Sequence, residues 1–172
     1  MPSKRILQRF FALLATAGLA AILFCACSPA QVDEAPPAPE PEPLVITEVD
    51  LADLLSRGLP VILNFGDDSQ ESAETLATLE MVYSSLGESV IVRSVDLAQN
   101  PAAKEGFPAP IIPSQFFYTA DGTPIALPLG IGVVLSTLLS VDTQEPVFTV
   151  HEGPLSLPDM LIILSFMGLE LG

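Results

Sequence analysis

The side chains able to do chemistry in this chain are few and unevenly placed. Its two cysteines, Cys25 and Cys27, both close an apolar N-terminal run, and no thiol follows them. Dithiol–disulfide exchange needs one thiol to attack and a second to resolve, so residues 28–172 cannot perform it. The single histidine, His151, has no Ser or Cys nucleophile tied to it by a motif, and reads as a structural residue at a strand end. The densest polar cluster runs Asp67-Asp68-Ser69-Gln70-Glu71-Ser72-Ala73-Glu74. Four carboxylates so close together suit a calcium ion, which is held by oxygen ligands, but the spacing and glycine of an EF-hand loop are missing. Carboxylates at the start of a helix also complement its dipole, and this is the reading adopted. No metal, no cofactor and no catalytic residue is expected.

Charge and composition divide the chain. Lys4, Arg5 and Arg9 precede the uncharged run Phe10 to Cys27, the pattern of a secretory signal; an uncleaved membrane anchor is the alternative, because the run is just long enough to span a bilayer. Beyond Cys27 only Arg57, Arg93 and Lys104 are basic against 21 acidic residues, a balance of −18. Such a surface repels nucleic acid and anionic lipid. Residues 28–43, SPAQVDEAPPAPEPEP, read as an extended, semi-rigid spacer that holds a domain of residues 44–172 away from the membrane.

The elements that must position the polar cluster follow from periodicity. Leu51, Leu54 and Leu55 have helical spacing, with Thr47 and Asp50 placed as a capping box and Gly58 as a stop. Val61 to Phe65 is a buried-strand run. Ala73, Leu76, Leu79, Val82, Tyr83 and Leu86 predict a helix from Gln70 to Leu86, closed by Gly87. Val90 to Val95 predicts a strand, and Asn100-Pro101 an N-cap and first turn of a short helix reaching about Glu105. Ile111 to Thr119 predicts a third strand with a turn at Asp121-Gly122, and Val147 to Val150 a fourth. Ser156 and Asp159 cap a last helix presenting Met160, Leu161, Leu164 and Met167 on one face. Between these lies Ile125 to Val141, without a charge. A strand and helix covering the core is the default reading of that stretch; a patch docking on a membrane protein or bilayer is the alternative. The order predicts an α/β fold, a mixed sheet with helices on both faces.

Two resemblances sharpen this. Leu23-Phe24-Cys25-Ala26-Cys27-Ser28 resembles a bacterial lipoprotein signal, which implies lipid attachment at Cys27, with Cys25 the other candidate, and a lipid-anchored location outside the cell membrane, in the periplasm or on the outer surface. Pro60 to Gly66 leading into a helix, Val90 to Asp96 followed by Asn100-Pro101, and Ile111-Ile112-Pro113-Ser114-Gln115-Phe116-Phe117 together resemble the thioredoxin-like family. Phe65-Gly66-Asp67-Asp68-Ser69 and Phe148-Thr149-Val150-His151 resemble a bacterial subgroup of it. The likeness spans about residues 44–170, with an insertion near 126–145 ahead of the last strand. It implies that Pro113, beside Ile112, is a cis-proline bordering a peptide-binding groove. It also implies a Cys-x-x-Cys motif at the helix start, where helix N–H groups and dipole stabilise a thiolate. The matching stretch here is Gln70-Glu71-Ser72-Ala73 or, shifted by one, Ser69-Gln70-Glu71-Ser72, and neither contains sulfur. The expectation is a redox-inactive, non-enzymatic binding or scaffold module. Its expected partner is a protein, such as a membrane thiol–disulfide reductase of the cytochrome c biogenesis type or a client of one. A non-catalytic subunit of such a system, or a solute- or metal-binding lipoprotein, is the alternative.

Overall fold

Val61–Gly66 (β2) is buried along its whole length, because both faces of this strand carry helices. A computed structural model describes residues 42–170, which belong to one unit, Glu40–Gly172. The segment expected to be a signal, with Cys25 and Cys27, and the expected spacer up to residue 41 lie outside the described residues. The remaining strands are Val45–Ile46 (β1), Ile91–Asp96 (β3), Ser114–Tyr118 (β4), Ser136–Leu139 (β5) and Pro146–Glu152 (β6). Among the described residues the helices are Leu51–Ser56 (α1), Gln70–Leu86 (α2) and Leu157–Phe166 (α3), with a 3-10 turn at Pro101–Lys104. The six strands form one sheet in the order β1-β3-β2-β4-β6-β5. β1, β3 and β2 run parallel, while β4 pairs antiparallel with β2 and β6, and β5 antiparallel with β6.

Strand alternation sorts the core into two layers. Ile62, Val92 and Phe117 point to the side covered by α2 and α3, where Leu79, Val82, Met160, Ile163 and Leu164 meet them. Val61, Leu63, Phe65, Phe116 and Tyr118 point to the other side, under Leu54 of α1 and Phe107 after the 3-10 turn. This is the thioredoxin-like mixed sheet that the resemblance implies, with an insertion before the last strand. Among the described residues no helix is long and apolar enough to cross a membrane.

Several local expectations change. Asp50 alone caps α1, its Oδ1 accepting the Asp53 N–H at 2.9 Å. Thr47 lies three residues ahead of that cap, and its carbonyl takes the Asn100 side-chain N–H at 2.8 Å. With its side chain turned to that carbonyl, Asn100 makes no side-chain cap, and the expected helix is a 3-10 turn. β4 starts at Ser114 rather than Ile111, because Pro108, Pro110 and Pro113 have no N–H to give a ladder. On α3, Ile163 joins Met160, Leu164 and Met167 in the core at i, i+3, i+4, i+7 spacing, while Leu161 is 41% exposed. β1 was not anticipated, since two residues are too few for a periodicity.

The insertion contains a strand and no helix. Asp121-Gly122 reverses the chain, with Gly122 at φ +80°, but its hairpin stops at one bridge, Tyr118 to Pro124. The chain then crosses to the sheet edge as β5. Leu127, Val133, Leu135 and Leu138 pack inward on the two core layers, whereas Leu129, Val134, Leu139 and Val141 face out.

Candidate functional site

β2 ends at Gly66, and the chain turns through Asp67-Asp68 into α2 with Ser69 as N-cap. Ser69 Oγ accepts the Ser72 N–H at 3.2 Å, satisfying one donor at the open helix end. Both serine hydroxyls donate to Asp67 Oδ1, from Ser69 at 2.5 Å and from Ser72 at 2.7 Å, and the Asp67 N–H returns a bond to Ser72 Oγ at 3.0 Å. These bonds, the Ser69 and Ser72 hydroxyls first, hold the Asp67 carboxyl below its ordinary range. The two hydroxyl oxygens lie 3.0 Å apart. Of the two registers open in the sequence, 69/72 therefore brings its outer pair together. Gln70 and Ala73 are both exposed, and the Gln70 amide donates instead to Glu74 at 2.8 Å. Glu71 is exposed on the same turn. Among the described residues no three His, Cys, Asp or Glu side chains gather as a group able to hold a metal.

Pro113 reaches the same end of the sheet. Antiparallel pairing of Phe65 with Ser114 places Pro113 across from Gly66, and the Ile112–Pro113 bond is cis. Pro113 is buried, and its carbonyl accepts the Gly153 N–H at 2.8 Å. Ile112 is half-buried and Ile111 exposed. The open cleft at the helix start lies elsewhere. A concavity of about 220 Å³ opens toward β3, lined by Asn64, Gly66, Asp67, Ser69, Ser72 and Ser94 among others.

Beneath it runs a buried polar chain that motif reading missed. Asn64 Nδ2 donates to Ser94 Oγ at 2.9 Å, and Gln115 Nε2 donates to Asn64 Oδ1 at 3.1 Å and to the Gly153 carbonyl at 3.4 Å. Asn64 and Gln115 are essentially inaccessible. A Cβ on Gly66 would stand 3.3 Å from Asn64 Nδ2 and 3.5 Å from Ser72 Cβ, so a glycine lets the network sit directly under the helix start. The signal for it was present: an amide inside Val61-Ile62-Leu63-Asn64-Phe65, and another ahead of Phe116-Phe117.

His151 is placed away from any nucleophile. Its Nδ1 lies 3.0 Å from the Val134 carbonyl and its Nε2 3.3 Å from that of Pro154, so the ring ties the insertion to β6. Among the described residues the hydroxyl of buried Tyr118, on the α1 side, has no partner, and burial pushes its ionisation up.

No family model matches the sequence, and no curated protein is similar to it. Among solved structures it is similar to a chloroplastic thioredoxin z, at 14% identity and a TM-score of 0.47, over 74% of this chain and 97% of that one. A malarial protein is similar at 13% identity and a TM-score of 0.45, over 62% of this chain and 94% of that one. The thioredoxin-like fold rests on the chain's own strand order, strand directions and helix placement.

Proposed function

We propose that this protein is a redox-inactive binding module, exported and held at the membrane by its N-terminus, that recognises a protein through the surface around the start of α2 and Pro113. The observation that carries the reading is the helix start itself. Where a thiolate would need unpaired N–H groups and positive surroundings, two serines and Asp67 bond to one another, and no thiol exists anywhere after Cys27. A serine hydroxyl does not replace a thiolate in disulfide exchange. Recognition without chemistry remains open to this surface, because an extended peptide can add to a strand end, and Ile111, next to Ile112, is exposed. A partner from a membrane thiol–disulfide system, reductase or client, fits the family resemblance. A solute-binding lipoprotein is the alternative; the cleft at the start of α2, about 220 Å³, is smaller than most ligand pockets.

Site-specific photo-crosslinking in native membranes tests the proposal, with the probe at Gln70 and a control at Glu88, exposed beyond the far end of α2. Capture of one defined protein from Gln70 and none from Glu88 is the expected result. Equal background from both positions would remove the binding surface from the start of α2.

A further inference from the structure

The two edges of the sheet are treated differently. β1 is two residues long and flanked by exposed Glu42 and Glu48. Short strands and flanking charges are how natural sheets prevent another strand from adding. β5 at the other edge, Ser136-Thr137-Leu138-Leu139, pairs only with β6 among the described residues, and the chain is uncharged from Ile125 to Val141. A register irregularity at Leu138/Leu139 is the one guard it has, and it sits at the strand's last residue. Around this edge Leu129 is fully exposed, Val141 89%, Val134 78% and Leu139 51%. A monomer surface seldom gathers so many large apolar side chains without a use for them.

Charge selects the occupant. The ionised groups in the β5–β6 turn are Asp142 and Glu145, both exposed, and Asp121 is exposed at the turn ahead of the insertion. No Lys or Arg lies between Gly106 and Gly172. Arg57 and Arg93 are engaged by Glu42 at the β1 side, and Lys104 lies in the 3-10 turn. We propose that β5 is a strand-acceptor edge that takes an extended, apolar segment flanked by basic residues from another protein. Backbone pairing supplies affinity, alternate side chains meet Leu139 and Val141, and the basic flanks meet Asp142 and Glu145. A second copy of the chain fits less well, because each carries a balance of −18 beyond Cys27, and Lys104 is the one basic side chain outside an ion pair among the described residues.

The test uses the full chain, a fluorescent synthetic peptide KKVTVTVKK, and the acidic counterpart EEVTVTVEE. Hydrogen exchange is followed along the chain and affinity by anisotropy. The basic peptide should slow exchange at Ser136–Leu139 at least tenfold, leave the start of α2 unchanged, and bind at least tenfold tighter than the acidic one. Thr137→Lys, at an exposed position, should weaken it about tenfold with an unchanged circular dichroism spectrum. Three results would overturn the proposal: no slowing with the basic peptide at millimolar concentration; β5 protection that grows with protein concentration alone, which makes the occupant a second copy; or protection by phosphatidylcholine vesicles but not by peptide, which makes it a bilayer.

Discussion

Replacing Ser69 and Ser72 together by cysteine would place two sulfurs where two hydroxyl oxygens already lie 3.0 Å apart. Small χ1 rotations close such a gap to the ~2.05 Å of a disulfide, so Ser69→Cys/Ser72→Cys should oxidise to an intramolecular bridge. Gln70→Cys/Ala73→Cys, with both side chains exposed, should bridge more slowly. The restored pair would still be a poor reagent. The Ser72 N–H that now bonds Ser69 Oγ at 3.2 Å would favour a thiolate at position 69, but Asp67 stands at hydrogen-bond distance from both hydroxyls. A carboxylate some 4 Å from a thiolate at a half-exposed site costs about 1–2 kcal/mol, or roughly one pK unit. At pH 7 that lowers the thiolate fraction about tenfold. The higher pKa makes each thiolate about threefold more nucleophilic, leaving a net slowing of about threefold. Adding Asp67→Asn should therefore speed attack on a small aromatic disulfide about threefold at pH 7, followed by stopped-flow absorbance. Above the pKa of both thiols the order should reverse, since only intrinsic nucleophilicity then remains. Two outcomes would refute the reasoning: a 69/72 pair that stays reduced while 70/73 closes, or a rate indifferent to Asp67 at both ends of the pH range.

Asn64→Ala should cost about 2 kcal/mol in urea unfolding, because it strands the Ser94 hydroxyl and takes from Gln115 its shorter bond. Combined with Ser94→Ala the loss should be less than additive, as for any pair in one network. Glu42→Gln should cost about 1–2 kcal/mol at low salt, mainly through Arg93, whose buried guanidinium loses its carboxylate, rather than through the exposed pairing with Arg57. Asp67, Asp96 and Asp121 all have carboxyls held below their ordinary range, by Ser69 and Ser72, by Gln99, and by Thr119 and Thr123 respectively. Since the folded form binds these protons less readily than the unfolded chain, the stability they confer is complete above about pH 5 and lost as pH falls below about 4. Melting temperature should drop over that interval, and Asp67→Asn should make the drop shallower.

Most of the fold was legible because its signals are local and repeat. Gln70–Leu86 and Leu157–Phe166 show helical spacing, Val61–Gly66 is a short β-branched apolar run bounded by Pro60 and Gly66, and the structure places all three as those signals do. The losses have a common physical origin in what a single stretch cannot know about its neighbours. Asn100 followed by Pro101 has the form of a cap, yet its amide is taken by the Thr47 carbonyl, fifty-three residues away. Leu161 has the same hydropathy as Leu164, and only the position of α2 decides which of them is covered. Ile125 to Val141 suggests a strand and a helix but is apolar without alternating, so it places neither; the strand, β5, is fixed by pairing with β6, and no helix forms there. At the helix start the sequence shows the missing sulfur at once but leaves the register open by one residue. What no single stretch shows is that Asp67 draws in the Ser69 and Ser72 hydroxyls together.

That same carboxylate bears on what the site has become. A thiolate at a helix start needs neutral or basic surroundings. Here Asp67 is bonded to both hydroxyls, and the cap, the turn and the acid sustain one another. The serines are therefore parts of the fold in their own right, and the exposed surface left at the site is polar and acidic: Asp68, Gln70, Glu71 and Glu74. Such a surface suits a partner with basic groups, as does the acidic turn beside β5. Three strand positions separate β2 from β5, roughly 14 Å at the usual inter-strand spacing. One extended partner could reach both, and the crosslinking and exchange experiments together would separate a single occupant from two. If competition by KKVTVTVKK abolishes capture at Gln70, both surfaces serve one partner; if capture persists while β5 stays protected, they act independently.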